Sequence, residues 1–310
     1  PTIVVETLDI YARATIINKA LADYALLLPQ IYGPYDLIHV HDWLTGFAGI
    51  TLQQNWGCPL VVTIHATEQG RSRGHLNNQL QQAIDGAERE LIRSASSIIV
   101  CSEFMSREMK NLFQVSADKL QVIPNAVNIE TLPDGHTPGD IAAFRTKYAD
   151  PGDLIVFTIS RLVYEKGGHR LVQAAPRILA ECPQARILIA GRGPEAEYLQ
   201  QQARDLGVAE RVNFIGFISD DDRNLIFGSA ACAVFPSLYE PFGIVALEAM
   251  AFNCPVVVSQ VGLQHPVLAR GYAIKARQTI DLVFNWPRVA QLTELVYRQV
   301  LAKPADAVKL

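Results

Sequence analysis

Arg161 and Lys166 stand five residues apart in Ser160-Arg161-Leu162-Val163-Tyr164-Glu165-Lys166-Gly167-Gly168, directly after an apolar run. An Arg fork and a Lys point charge on one loop, with a glycine pair opening the next helix, can clamp a diphosphate. An exposed basic loop is the other reading of the same residues. A second segment, Pro236-Ser237-Leu238-Tyr239-Glu240-Pro241-Phe242-Gly243-Ile244-Val245-Ala246-Leu247-Glu248, follows another apolar run. Pro241 and Gly243 fix a turn, and the helix that starts there offers the amides of Gly243, Ile244 and Val245 to an anion, helped by the helix dipole. Glu248 lies about one turn inside that helix, where a carboxylate can accept two hydrogen bonds from vicinal ribose hydroxyls; Glu240, on the preceding loop, points into a cleft. One glutamate here would read as a cap or a surface charge, but two framing a Pro-Phe-Gly turn after a buried strand read as a site. Gly191 and Gly193, after a third apolar run, either let the backbone approach a nucleotide or make a plain turn.

The elements that must carry these residues are short Val/Ile-rich runs separated by helix-period stretches. The strands expected are Leu37 to Val40, Leu60 to Ile64, Ser97 to Val100, Leu120 to Ile123, Leu154 to Ser160, Arg186 to Ala190, Val212 to Ile215, Ala231 to Phe235 and Pro255 to Ser259. Near-continuous apolar runs predict strands covered on both faces, the pattern of parallel sheets. Helices are predicted over Ile10 to Leu28, Leu44 to Gln54, Leu80 to Arg93, Glu103 to Leu112, Gly168 to Glu181, Glu195 to Leu206, Asp221 to Phe227 and Ile244 to Phe252. Strand and helix in alternation predict a doubly wound α/β fold, whose ligands lie outside the carboxyl ends of strands. The alternation breaks once, at the Pro/Gly-rich stretch Val127 to Gly152, which holds one short helix candidate, Ile141 to Tyr148. A hinge near Pro124-Asn125-Ala126-Val127 then gives two α/β halves.

Composition narrows the partners. The 310 residues are 49% hydrophobic with a formal charge of −4, so the global positive field used in non-specific nucleic-acid binding is absent and any phosphate site is built locally. No apolar run reaches the ~20 residues of a membrane span. Residues 1 to 30 carry Glu6, Asp9, Arg13, Lys19 and Asp23 and no signal-peptide core, so a cytoplasmic place is expected. Five widely spaced cysteines read as buried small hydrophobes in a reducing compartment. The run Asp220-Asp221-Asp222 could hold a metal, but after Ser219 and before Arg223-Asn224-Leu225 it reads as the acidic first turn of a helix; no metal is expected.

The segment Glu240 to Glu248, two glutamates with seven residues between them in Glu-Pro-Phe-Gly-Ile-Val-x-Leu-Glu, resembles the signature of retaining glycosyltransferase family 4 on the GT-B fold, with glycogen and starch synthase relatives. Ser160-Arg161-Leu162 with Lys166-Gly167, Gly191-Arg192-Gly193-Pro194, Ile123-Pro124-Asn125-Ala126-Val127 and His39-Val40-His41-Asp42-Trp43 agree in order and spacing. The resemblance implies two Rossmann-like domains facing across a cleft: 1–127 on the acceptor side, 128–284 for the donor, and 285–310 as a closing helix crossing back to the first. It implies that Arg161 and Lys166 bind the donor diphosphate, Glu248 the ribose, and Gly243, Ile244 and Val245 sugar and phosphate, with Glu240 facing the donor sugar. His65, in Thr63-Ile64-His65-Ala66-Thr67-Glu68, is the residue expected to reach the donor sugar, and His41 is second; for each a structural role at a strand end is the other reading. Glu240, His65 and Lys166 are the expected catalytic residues. The donor is a nucleoside diphosphate sugar, UDP- or GDP-linked or ADP-glucose, and it serves as substrate, with no cofactor. The acceptor is a glycan, a lipid-linked sugar or a small molecule, with peripheral membrane contact open. An epimerase or phosphorylase on the same fold, or an inactive truncated nucleotide-binding chain, are the alternatives.

The pattern departs from the family twice. Pro1-Thr2-Ile3-Val4-Val5-Glu6 passes to the first helix with no glycine before Gly33, where a strand and a Gly-rich loop are expected, so the first domain reads as incomplete. After Leu263 the order jumps to Gln264-His265-Pro266, and a donor loop, a strand and a helix read as missing. The polar Glu68 to His75 segment reads either as an acceptor contact or as a plain exposed loop.

Overall fold

A computed structural model describes residues 8–127, 137–261 and 283–302. Both departures from the family pattern, before Thr7 and after Leu263, lie outside the described residues. In chain order the elements are α1 (Ile10–Ala25), α2 (Pro29–Tyr32), β1 (Ile38–His41), α3 (Gly46–Trp56), β2 (Leu60–Ile64), α4 (Glu68–Arg71), α5 (Gln79–Ser94), β3 (Ser97–Val100), α6 (Glu103–Phe113), β4 (Leu120–Val122), α7 (Pro138–Arg145), β5 (Leu154–Ile159), α8 (Gly168–Glu181), β6 (Ala185–Ala190), α9 (Ala196–Asp205), β7 (Val212–Gly216), α10 (Asp220–Ser229), β8 (Cys232–Phe235), α11 (Ile244–Ala251), β9 (Val256–Val258) and α12 (Trp286–Leu301). Each strand falls where an apolar run predicted one. Side-chain caps set helix starts: Asp9, Asn78, Ser102 and Ser219 accept from Ala12, Gln81, Met105 and Asp222 amides at 2.8, 2.9, 3.2 and 3.1 Å. The aspartates 220 to 222 are thus the first turn of α10.

The chain forms two compact units, Pro1–Pro124 with Val289–Leu310, and Asn125–Arg288. Val127 N–H donates to the Phe284 carbonyl at 2.9 Å, which keeps both residues inside the second unit, a few residues from the boundaries expected. Unit 1 holds a parallel sheet in the order β1-β2-β3-β4. All five residues of β2 are buried. On one face Val61, Ile99 and Ile123 pack with Val296 and Val300 of α12; another cluster joins Ala14, Trp43, Ile84 and Ala87.

Unit 2 is a five-stranded parallel sheet in the order β7-β6-β5-β8-β9. Successive residues of β5 and β6 serve opposite faces. Val156, Ile187 and Ile189 join Val172 and Leu199 of α8 and α9, while Ile155, Phe157 and Leu188 join Phe227 and Ala249 of α10 and α11. Phe157 is fully buried, and burial of a ring that size stabilises by roughly 1.5–3 kcal/mol. The strand order runs outward from β5 through β6 to β7 on one side and through β8 to β9 on the other. The gap between β5 and β8 is therefore the topological switch point, where the connections leave to opposite sides and open a crevice at the strands' carboxyl ends. Among the described residues no helix is long and apolar enough to cross a membrane.

Candidate functional site

The switch point of unit 2 brings the two charged segments together. The loop after β5 ends in a single 3-10 turn, Tyr164–Lys166, and Gly167 at φ +69° leads into α8. A Cβ at Gly167 would lie 2.0 Å from the Pro236 carbonyl oxygen, so the loops after β5 and β8 meet backbone to backbone and only glycine allows it. Leu238 and Tyr239 amides donate to the Glu165 carbonyl at 2.8 and 3.3 Å. This seam sets Lys166 Nζ 2.7 Å from Glu240 Oε2, each side chain 23% exposed. Buried Ser237 donates to the same carboxylate oxygen at 3.1 Å, and its carbonyl accepts from the Ser259 hydroxyl. Each charge of the Lys166–Glu240 pair offsets the cost of holding the other in a partly desolvated place.

Past Glu240, Gly243 at φ +93° caps α11. The first amides bonded into the helix are those of Ala246 and Leu247, both to the Gly243 carbonyl at 3.1 and 3.4 Å. The N–H groups of Gly243, Ile244 and Val245 therefore precede the ladder, which is the arrangement that receives an anion. Glu248, further along α11, is 20% exposed and 3.6 Å from Arg223 Nη1 of α10. Burial pushes its carboxyl above the usual range, Arg223 pulls it down and Asp220 pushes it up; the net direction is upward. Arg223 is held in turn by Asp220 at 2.8 Å and by Asn224 at 3.0 and 3.2 Å. Arg161 stands apart: its side chain is 70% exposed and 3.6 Å from Glu165, an ion pair of the kind worth ~0–1 kcal/mol.

Gly191 and Gly193 have a packing reason. A Cβ at Gly191, at φ +124°, would lie 1.8 Å from the Ser160 carbonyl oxygen, and one at Gly193 would lie 2.2 Å from that of Leu162. Leu162 N–H donates to Arg192 O at 2.8 Å, and Glu195 N–H to Leu162 O at 3.0 Å. The two glycines thus let the loop after β6 lie against the loop that carries Arg161 and Lys166.

In unit 1 the expected histidines stand at the carboxyl ends of β1 and β2. His39 and His41 alternate along β1 onto one face, ring centroids 4.7 Å apart at 24°. His41 Nδ1 is 3.0 Å from His65 Nε2. His39 is held at both nitrogens, by Tyr297 Oη of α12 at 2.6 Å and Thr63 Oγ1 at 2.8 Å. Burial first, then His41 and His65, push the His39 imidazole down to about 4, and burial with His65 lowers His41 against the opposing Asp42; His39 is therefore neutral at pH 7. Asp42, left-handed at φ +54°, accepts from the His65 amide at 2.8 Å, a conformation Asp tolerates better than most residues.

The first half of the Glu68 to His75 segment is a helical turn, and residues 73–75 are exposed. Glu68–Arg71 forms the turn α4, and Arg71 is taken up by Glu68 at 3.2 Å and by buried Glu88 at 3.6 Å. Sequence reasoning missed Ser237, Arg223 and Tyr297 as partners of the site residues; the i to i+3 spacing of Ser237 and Glu240 was the one local signal. Among the described residues no group of three or more His, Cys, Asp or Glu side chains gathers as metal ligands would.

Comparison with known proteins accords with this geometry. The family model for glycosyl transferases group 1 matches residues 140–281, and that for Glycosyltransferase Family 4 matches residues 8–131. Glycogen synthase of Mycobacterium tuberculosis is 33% identical over 292 residues, covering 84% of this chain and 68% of that protein. An uncharacterised glycosyltransferase of Methanocaldococcus jannaschii is 39% identical over 230 residues, 74% of this chain and 58% of its own. Among solved structures, sucrose-phosphate synthase of Thermosynechococcus elongatus superposes with a TM-score of 0.76 at 24% identity, covering 95% of this chain and 79% of that one. Anabaena HepE in complex with UDP and glucose gives 0.70 at 23% identity, covering 94% and 81%. Two parallel α/β sheets with these neighbours make the fold GT-B. The chain belongs to the GT4-like, glycogen/starch synthase-type glycosyltransferases.

Proposed function

We propose that the chain transfers a sugar, with retention of anomeric configuration, from a nucleoside diphosphate sugar to a hydroxyl of a glycan, a lipid-linked sugar or a small molecule. The observation that carries this reading is the Lys166–Glu240 pair at the switch point, beside the opening amides of α11. The leaving group is a dianionic diphosphate, so the barrier falls most where fixed positive charge meets the departing oxygens. Lys166 and the amides of Gly243, Ile244 and Val245 supply that charge, and exposed Arg161 folds over it. Glu240 orients sugar hydroxyls and Glu248 accepts from the ribose. Attack from the same face, with the leaving phosphate taking the acceptor's proton, gives retention without a protein nucleophile. These groups neutralise the diphosphate without a divalent ion, so the transfer is metal-independent and persists in EDTA. The five cysteines are free thiols, which suits the reducing cytoplasm.

The test is incubation with UDP-, GDP- and ADP-glucose and their epimers, each with and without a mixture of oligosaccharide, lipid-linked and polyol acceptors. Free nucleoside diphosphate together with a glycosylated product supports transfer, and the product's anomeric proton coupling reports retention. Lys166→Ala lowers turnover by about 10²–10³-fold, the range for loss of one preorganised charge stabiliser. Sugar interconversion without acceptor would establish an epimerase instead. Nucleotide binding without turnover in any mixture would leave an inactive nucleotide-binding chain.

A further inference from the structure

The histidines of unit 1 carry one step beyond that reading. The centroids of His41 and His65 are 5.3 Å apart with ring planes at 14°. That separation matches the 3.0 Å nitrogen contact plus the two ring radii, so the rings lie edge to edge in nearly one plane and not face to face. An in-plane contact of this length is a directed hydrogen bond, in which one nitrogen donates and the other accepts. It occupies Nε2 of His65 and leaves Nδ1 as the nitrogen available to a ligand.

His41 is itself well fixed. Its amide donates to Thr45 Oγ1 at 3.1 Å and its carbonyl accepts from the same hydroxyl at 2.9 Å. One ring face is covered by His39, which Tyr297 and Thr63 hold at both nitrogens. The backbone of His65 is tied to Asp42. A ring gripped at its amide and at Nε2 has little freedom about χ1 and χ2. Asp42 accepts from the His65 amide, and His39, itself held by Tyr297, lies beside His41. Two protonated rings would face N–H against N–H across 3.0 Å, so in this geometry the pair holds at most one positive charge.

We propose that His41 is a positioning residue for His65. It holds the His65 ring in one orientation, with Nε2–H donated to His41 Nδ1 and Nδ1 left open to a ligand, and does not itself bind the donor. The inference rests on the expectation, drawn from the family resemblance, that His65 reaches the donor sugar in such a transfer.

The experiment uses the full chain labelled with 15N-histidine and two variants, His41→Ala and His41→Asn. Asn can place a hydrogen-bonding atom near the position of the lost Nδ1. Long-range 15N–1H spectra near pH 8 are expected to show His65 in a single tautomer in the parent and in His41→Asn, and in a mixture of both in His41→Ala. Misplacement of a reacting group costs up to ~10²-fold, so His41→Ala is expected to lose about 10- to 100-fold in kcat with little change in donor KM, and His41→Asn to regain most of it. An unchanged tautomer and turnover in His41→Ala would overturn the proposal. A raised donor KM in both variants would also overturn it, by making His41 a direct contact. A tautomer mixture in His41→Ala, with no transfer by the parent from any donor, would support the lock and count against the transferase reading alone.

Discussion

Gly191→Ala separates the two readings of the glycine loop after β6. The added Cβ would stand 1.8 Å from the Ser160 carbonyl oxygen, at a φ of +124° that side-chain-bearing residues rarely adopt. The backbone conformation alone costs roughly 1–3 kcal/mol, and forcing two packed loops apart costs about 1–3 kcal/mol more. The expected sum is about 4 kcal/mol, a large share of the ~5–15 kcal/mol that holds a protein folded. Neither loop yields easily, because Gly191 N–H donates to Gly216 O at 2.7 Å and Ser160 N–H to Ala190 O at 3.2 Å. Gly207→Ala is the matched control: φ there is +67° with nothing within 4 Å of the new Cβ, leaving only the left-handed penalty of about 1–2 kcal/mol. Thermal unfolding followed by circular dichroism is expected to place Gly191→Ala below Gly207→Ala by roughly 5–10 °C, at about 2–4 °C per kcal/mol for a unit of this size. Binding of UDP, GDP and ADP by the folded variants is the second readout, since the displaced loop carries Arg161 and Lys166. Equal midpoints for the two variants would refute the packing argument. Equal midpoints with nucleotide affinity lost only in Gly191→Ala would show that the glycine serves the ligand directly.

Arg223→Gln removes the charge that pulls the Glu248 carboxyl down against burial; it is expected to weaken nucleoside diphosphate binding about fivefold, roughly 1 kcal/mol, with the loss growing as pH falls. Calorimetric titration checks this, and an equal loss for inorganic diphosphate, which has no ribose, would remove the ribose argument. Burial holds the His39 imidazole down to about 4, against an ordinary 6.5, so its neutral ring contributes stability that is fully present above about pH 6.5 and is lost as pH falls toward about 4. Urea unfolding of unit 1 is expected to show that loss in the parent and a smaller one in His39→Gln, and equal losses would place the sensitivity elsewhere.

The parts of this molecule that were legible in its sequence are those governed by local periodicity. Leu60 to Ile64 and Ser97 to Val100 are near-continuous apolar runs, broken only by Thr63 and Ser97, because both faces of their sheet are covered, and the structure buries every one of those residues. Val296 and Val300 stand at helical spacing and both are buried. The single turns α2 and α4 have no period and gave no signal. For the site, the legible information was residue type and strand-end position, which marked Lys166 and Glu240 separately. Their ion pair spans 74 residues of chain and exists because β8 lies beside β5, a choice of strand order that neither segment encodes. His39 and His41 were closer to reach, since alternate residues of a strand share a face, but the edge-to-edge contact of His41 with His65 depends on the parallel register of β1 with β2. The glycines set the limit most clearly. What Gly191 requires is the absence of a Cβ in one direction, and composition cannot say whether a phosphate or the Ser160 carbonyl lies that way. A motif glycine after a strand is thus evidence of a close approach, and the identity of the approaching group is a tertiary fact that only the neighbouring strand supplies.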